Sequence, residues 1–176
     1  HRWEEAMELF SNMEQRAIMP DVITHNALIS ACERGAKWRI ALALLANMCL
    51  RRLVPDSASF KAAISACERA EQWEKSLELL GEMLRIGLVV DVESYSAAIS
   101  ACRYGKRWRA ALGLMDAMCL HRPRPDTIAF NAALGACETA GAWACALCLL
   151  HGMRQAELRP DLLTCNAAIL ACEAGR

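Results

Sequence analysis

Hydrophobic positions along the chain recur in a block of 35 residues that repeats without insertion or deletion. In the block 22–56, apolar residues of the segments 23–34 and 37–50 fall at the three- and four-residue spacing of a helix face. Gly35 follows the first segment as a helix stop signal, and residues 51–55 make the turn to the next block. Each block therefore predicts a hairpin of two antiparallel helices, helix A and helix B.

Several residue types keep this period independently of one another. A fixed period of about 20 to 50 residues is typical of stacked helical repeats, because each hairpin buries its apolar face against its neighbours. The series are Trp3, Trp38, Trp73, Trp108 and Trp143; Cys32, Cys67, Cys102, Cys137 and Cys172; Met13, Met48, Met83, Met118 and Met153; and Asp21, Asp56, Asp91, Asp126 and Asp161.

The repeat predicts an all-α fold, a right-handed α-solenoid of stacked antiparallel helix-turn-helix repeats with about ten helices. We expect a single array over residues 1–176. Its parts are a half repeat at 1–21, full repeats at 22–56, 57–91, 92–126 and 127–161, and a half repeat at 162–176. Because both outer repeats are incomplete, we expect the chain to be part of a longer array.

Composition narrows the function classes. Lysine plus arginine equals aspartate plus glutamate at 20 each, so any basic surface must come from local placement rather than net charge. No apolar run approaches the roughly 18 to 20 residues that span a bilayer, which predicts no membrane partner. The five periodic cysteines lie inside apolar runs, and we expect buried, reduced thiols in a reducing compartment.

Three features suggest other chemistry and are better explained by packing. The tryptophan series lies on the apolar stripe of helix B, so we expect core packing rather than base stacking. Cys145, Cys148 and His151 share a helix face but lack a fourth ligand, and we expect no metal and no cofactor. The histidines and acidic residues form no acid–base pair or nucleophile triad. We therefore expect no enzyme activity and no small-molecule substrate.

One polar position of helix A varies from repeat to repeat while its apolar neighbours stay uniform. A purely structural position would be as uniform as the tryptophan series, so this variation indicates contact with a ligand. The repeated aspartate is open to two interpretations, a helix cap alone or a cap that also takes part in ligand binding. The variable residues are Asn26, Lys61, Ser96, Asn131 and Asn166.

These motifs together resemble the pentatricopeptide repeat family of 35-residue repeats. The matching motifs are Asn-Ala-Leu-Ile-Ser-Ala from Asn26, Ala-Leu-x-Leu-Leu-x-x-Met from Ala41, and Pro-Asp at the repeat end. The resemblance covers the whole chain and departs from the family at Trp38, where Leu or Val is more common. It implies binding of single-stranded RNA at one base per repeat. It also implies a mitochondrial or chloroplast location, a role in RNA processing, stability, editing or translation, and RNA-processing enzymes as partners.

The resemblance also assigns residues to roles. The implied base-reading pairs are Asn26 with Asp56, Lys61 with Asp91, Ser96 with Asp126, and Asn131 with Asp161, with Asn166 as a further reader. The implied base-sandwiching residues are Ile23, Ala58, Glu93, Ile128 and Leu163, and the implied phosphate contacts are Arg34 and Arg69. In the family, Asn with Asp resembles a uracil reader and Ser with Asp a guanine reader. The implied target is therefore 5′-U-N-G-U-3′.

A protein- or peptide-binding α-solenoid scaffold is the alternative function. The zero net charge favours it, and so does Glu93, because a carboxylate beside a base repels phosphate. The 35-residue period and the variable polar series favour RNA. An array without any ligand is a third possibility.

Overall fold

Ten α-helices and no strand make up residues 2–121 and 123–175, which the computed structural model of the chain describes. The helices fall into two compact units, residues 1–89 and residues 90–176. The first unit has α1 (Arg2–Gln15), α2 (Val22–Arg34), α3 (Trp38–Leu50), α4 (Ser57–Arg69) and α5 (Trp73–Arg85). The second has α6 (Val92–Tyr104), α7 (Trp108–His121), α8 (Thr127–Ala140), α9 (Trp143–Gln155) and α10 (Leu162–Ala174). The prediction of an all-α fold is confirmed.

The helices of each unit pack as two rows. In the first unit α2 packs on α4, while α3 contacts both α2 and α4. In the second unit α6, α8 and α10 pack in sequence, and α7 and α9 each contact two members of that row. We call α2, α4, α6, α8 and α10 the A helices, and α1, α3, α5, α7 and α9 the B helices. In the described part of the chain, no helix has the length and hydropathy needed to span a membrane.

Periodic sulfur-containing side chains fill the space between the rows. Four of the five periodic methionines on the B helices and four of the five periodic cysteines on the A helices are buried. Burial raises the pKa of the buried thiols, to about 11 for Cys67, Cys102 and Cys137. All ten cysteines are free thiols. The expectation of burial is wrong at Cys172, which is exposed because no further hairpin packs on α10 within the described residues.

An aspartate begins every A helix. Each lies in extended conformation, and one carboxylate oxygen accepts the backbone N–H of the third helical residue. The donor–acceptor distances are 2.8 Å for Thr24, Ser94, Ala129 and Thr164 and 2.9 Å for Ser59. The predicted helix caps are confirmed at all five positions.

Helix α2 ends at Gly35, but this glycine does not take the left-handed conformation that a glycine at a helix end usually indicates. Gly35 has a φ of −89°, and the left-handed residue is Ala36, with a φ of 52°. The backbone N–H groups of Ala36 and Lys37 donate to the carbonyls of Glu33 and Cys32, which closes the helix end. The same conformation recurs at Ala17, Arg52, Glu71, Gly87, Lys106, Gly141 and Glu157.

Gly35 is small because a tryptophan packs against it. A Cβ atom on Gly35 would lie 2.7 Å from Cδ1 of Trp3, and a Cβ on Gly175 would collide with Trp143 in the same way. Trp3 is the second residue of α1, and Trp143 is the first residue of α9. Each lies over the last turn of the A helix that follows it in the chain. The prediction of core packing is wrong in that none of the five tryptophans is fully buried, although four of them are half-buried. Trp3 is half-buried and Trp143 is 48% exposed.

Neighbouring substitutions at this turn should change stability in opposite directions. Ala36→Gly should stabilise the chain by about 1 kcal/mol, because glycine adopts positive φ without steric cost. Gly35→Ala should destabilise it by about 1–3 kcal/mol through overlap with the tryptophan. Urea unfolding followed by circular dichroism measures both. In a Trp3→Ala background, Gly35→Ala should cost less, and an equal cost there would contradict the packing explanation.

Candidate nucleic-acid interface

Packing of one A helix on the next brings Asn26 and Asp56 together. Asn26 is on α2, and Asp56 caps α4. The amide nitrogen of Asn26 donates to the carboxylate of Asp56, at 3.1 Å from Oδ1 and 3.2 Å from Oδ2. The side chains are 30 residues apart in sequence, so only the packing of α2 on α4 makes them a pair.

The second unit contains the same arrangement. Asn131 of α8 lies beside Asp161, the cap of α10. Its amide nitrogen lies 3.3 Å from Oδ2 and 3.5 Å from Oδ1 of the carboxylate. Two of the four predicted base-reading pairs thus form direct amide–carboxylate contacts, one in each unit.

A hydroxyl that sequence analysis missed completes each pair. The hydroxyl oxygen of Ser59 lies 2.5 Å from Oδ1 of Asn26, and that of Thr164 lies 2.7 Å from Oδ1 of Asn131. In sequence, a hydroxyl three residues after an aspartate indicates a helix cap. Nothing in that local signal shows that the hydroxyl also reaches the preceding A helix. We call Asn26, Asp56 and Ser59 the first amide cluster, and Asn131, Asp161 and Thr164 the second amide cluster.

Both carboxylates of the amide clusters are held in the charged form. The hydroxyl and backbone N–H of Thr164 hold the pKa of Asp161 below its ordinary value, and the Asn131 amide adds to this effect. Partial burial acts to raise the pKa of Asp56, but hydrogen bonds from Ser59 and Asn26 outweigh it and the net pKa is lowered. Each carboxylate therefore stays a full hydrogen-bond acceptor at neutral pH.

A groove of about 510 Å³ runs along the A helices of the second unit. Three predicted base readers line it, Ser96, Asn131 and Asn166, together with the predicted sandwiching residues Ile128 and Leu163. Ser96 is only 6% exposed, and within the described chain its hydroxyl has no hydrogen-bond partner. The groove thus lines up one unpaired hydroxyl and two amides at the repeat spacing.

Charges of both signs line the same groove. Arg103 of α6 and Glu138 of α8 are both lining residues. Arg103 packs beside Gly135, where a Cβ would lie in van der Waals contact at 3.4 Å from Cδ of the arginine. The groove is therefore not uniformly basic, which fits the zero net charge of the chain.

The other predicted base-reading and base-sandwiching residues lie on α4 and α6 or cap an A helix. Lys61 is half-buried on α4 in the first unit, and Asp91 caps α6 in the second. Asp126 caps α8 and is partly exposed, and Glu93 is exposed on α6. Their assignment as base-reading or base-sandwiching residues stays a prediction.

Apolar side chains at the predicted sandwiching positions face solvent. Ile23, Ile128 and Leu163 are between 63% and 76% exposed, and Ala58 is also exposed. Each lies three residues before a predicted base-reading residue and on the same face of the helix, as Ile23 does before Asn26. Large exposed aliphatic side chains beside polar readers suit contact with the flat face of a base.

The two predicted phosphate contacts differ in their surroundings. Arg34 is exposed at the end of α2. Nε of Arg69, at the end of α4, lies 3.6 Å from Oε1 of Glu33 on α2, which partly offsets its charge. A pair of this kind near the surface contributes little to stability, and the assignment of both arginines as phosphate contacts stays a prediction. No cluster of three or more metal-ligating side chains occurs in the described ranges.

Helical hairpins, paired A helices and aspartate caps define this chain as a helical-repeat protein. Models of the "PPR repeat family", the "PPR repeat" and the "pentatricopeptide repeat domain" match residues 1–34, 58–88 and 78–140 respectively. The chain belongs to the pentatricopeptide repeat (PPR) family. No curated protein matches it at the level of sequence.

Solved PPR structures share the fold at low sequence identity. PPR10 in complex with an 18-nt psaJ RNA element superposes with a TM-score of 0.80 at 18% identity, over 98% of this chain and 25% of that one. PPR10 from maize matches with a TM-score of 0.61 at 16% identity, over 98% and 35%. The PPR domain of Arabidopsis thaliana protein-only RNase P 1 in complex with tRNA gives 0.80 at 15%, over 98% and 91%. The chain spans about a quarter of the PPR10 chain of the RNA complex.

The lowered carboxylate pKa values predict a specific acid sensitivity. The backbone N–H and the hydroxyl of Thr24 lower the pKa of Asp21 in the same way as in the amide clusters. Because each folded-state pKa lies below the ordinary value of 3.8, the caps stabilise fully above that pH. This stabilisation is lost as the pH falls through the lowered folded-state values.

The triple variant D21N/D56N/D161N is the matched control for this prediction. Asparagine keeps a cap oxygen at each position but does not titrate. Urea unfolding between about pH 5 and pH 2 should show a smaller loss of unfolding free energy in the variant than in the original chain. Equal losses would mean that other groups cause the acid sensitivity.

Proposed function

We propose that the chain binds single-stranded RNA along its A helices, with each repeat reading one base. The observation that carries this proposal is the amide–carboxylate pair, which forms at equivalent positions in both units. If these side chains only faced water, the same polar pair would not need to form twice between residues 30 positions apart.

The chemistry of the readers supports this proposal. An asparagine amide offers one donor and one acceptor, which suits the Watson–Crick edge of uracil. The small hydroxyl of Ser96 leaves more room in the groove, which suits a larger purine such as guanine. Ile23 and Ile128 offer exposed aliphatic surface next to Asn26 and Asn131, against which a base can pack.

The wider role in this proposal follows from family resemblance. PPR10 in complex with an RNA element and RNase P 1 in complex with tRNA support RNA as the ligand class. We propose that the chain acts by binding alone, either shielding RNA or positioning a processing enzyme on it. A mitochondrial or chloroplast location, and a part in RNA processing, stability, editing or translation, belong to the same proposal and rest on the resemblance.

A peptide-binding scaffold is the second candidate. Ile128, Leu163 and Leu170 give the groove an apolar lining, and Glu138 would repel a phosphate. These features suit an extended peptide with aliphatic and basic side chains. The unpaired hydroxyl and the two amides at repeat spacing favour RNA over this alternative.

Binding to short RNAs tests the primary proposal. We expect the 176-residue chain to prefer RNA containing 5′-UNGU-3′ over RNAs in which the G or the last U is replaced by A. The expected preference is about tenfold, roughly 1.4 kcal/mol. Ser96→Ala should remove only the preference for G, and Asn131→Ala only the preference for the last U. Fluorescence anisotropy at low and moderate salt measures each preference.

Asn12→Ala is the matched control, because Asn12 is an exposed asparagine on the B helix α1. It should leave both preferences unchanged. Binding of equal strength to every RNA, with steep salt dependence, would reduce the interface to an electrostatic surface without base reading. The absence of RNA binding at low salt would overturn the proposal and favour the peptide scaffold.

A further inference from the structure

The asparagine amide of each amide cluster is held at both of its ends. In the first amide cluster the nitrogen of Asn26 faces the carboxylate of Asp56, and its oxygen faces the hydroxyl of Ser59. In the second amide cluster Asn131 faces Asp161 and Thr164 in the same sense. The direction of the amide is set by chemistry, because turning it over would place its oxygen against two carboxylate oxygens.

The hydroxyl proton has a restricted choice of partners. In the first amide cluster the backbone N–H of Asp56 donates to the Ser59 oxygen at 3.2 Å, so the hydroxyl proton is free to donate onward. Its two possible acceptors are Oδ1 of Asn26 at 2.5 Å and Oδ1 of Asp56 at 3.0 Å, and the shorter distance favours the amide. The Thr164 oxygen likewise accepts the Asp161 N–H, at 3.1 Å, and lies 2.7 Å from both acceptors.

An amide anchored in this way presents one fixed order of donor and acceptor. One N–H of each amide nitrogen and one lone pair of each amide oxygen remain for a ligand. Uracil and cytosine present opposite orders at ring positions 3 and 4, where uracil has a donor and an acceptor and cytosine an acceptor and a donor. A freely rotating terminal amide could adapt to either base, since this torsion is broad and roughly two-fold.

We propose that Ser59 and Thr164 are positioning residues that hold the Asn26 and Asn131 amides in one orientation and so favour uracil over cytosine at those two positions. This inference rests on the proposed RNA-binding function. Each base-reading pair thereby becomes a group of three residues, and the third residue comes from the A helix of the following repeat.

Two other repeats separate the local capping role of this hydroxyl from its contact with the asparagine, and one of them starts its helix without it. Thr24 makes the local bonds to its own cap, Asp21, at 2.8 Å from both its backbone N–H and its hydroxyl. Ala129 occupies the same position in α8, and that helix still begins at its aspartate cap. The reader that precedes Ala129 by 33 residues is Ser96, which has no amide to orient.

Uracil-to-cytosine exchange at single positions tests the inference. Thr164→Val, which keeps the shape of a residue that is fully buried, should lower the preference for uracil at the Asn131 position by about three- to tenfold. The preference at the Asn26 position should not change. Ser59→Ala should have the converse effect. The conservative variants Thr164→Ser and Ser59→Thr keep the hydroxyl and should keep both preferences.

Thr24→Val is the matched control, since it removes an equivalent cap hydroxyl that contacts no asparagine reader. It should lower thermal stability, though less than Thr164→Val because Thr24 is only half-buried, while leaving both preferences intact. If Thr164→Val keeps the uracil preference that Asn131→Ala abolishes, the positioning role is overturned and the proposed function stands. If the original chain does not distinguish bases at all, the proposed function fails, and the positioning role fails with it.

Discussion

The aspartate at the start of each A helix is the interaction on which both the fold and the candidate site depend. Its carboxylate accepts a backbone N–H that would otherwise lack a partner, and so sets where the helix begins. Because A helices of one unit pack side by side, the carboxylates of Asp56 and Asp161 also contact an asparagine on the preceding A helix. Helix initiation and presentation of polar groups are therefore coupled in one residue.

This coupling explains how a uniform scaffold can carry a variable surface. Buried methionines and cysteines recur at the same spacing in both units, and in each unit one A-helix position faces the aspartate cap of the next A helix. That position is occupied by asparagine in both amide clusters, and by serine at Ser96. Asn26 and Asn131 are half-buried and Ser96 is buried, so the position accepts polar side chains at different degrees of exposure.

The tryptophans and glycines show how a correct pattern can have an unexpected physical cause. The period places tryptophan on the apolar stripe of helix B, but at the very start of the helix, where the neighbouring helix can cover it only in part. Trp3 consequently lies over the last turn of α2 and requires the small residue Gly35. The left-handed conformation that glycine would favour falls instead on Ala36, and the turn forms despite the steric cost of a methyl group there.

The sequence by itself determined the helices, their ends to within a residue, the aspartate caps and the repeat spacing. These follow from local rules, because helix periodicity, capping and chain reversal involve residues only a few positions apart. It also indicated Asn26 and Asn131 as candidate readers, since variation at one position of a uniform repeat can be seen without coordinates. The assignment of their partners came from family resemblance and not from the pattern.

Only the tertiary structure showed that Ser59 and Thr164 join those pairs, that Ser96 keeps an unpaired hydroxyl in the groove, and that Cys172 is exposed. Each of these facts depends on which helix lies beside which. Contacts between residues about 30 positions apart arise from the packing of A helix on A helix, and no local propensity specifies the distance between two such side chains.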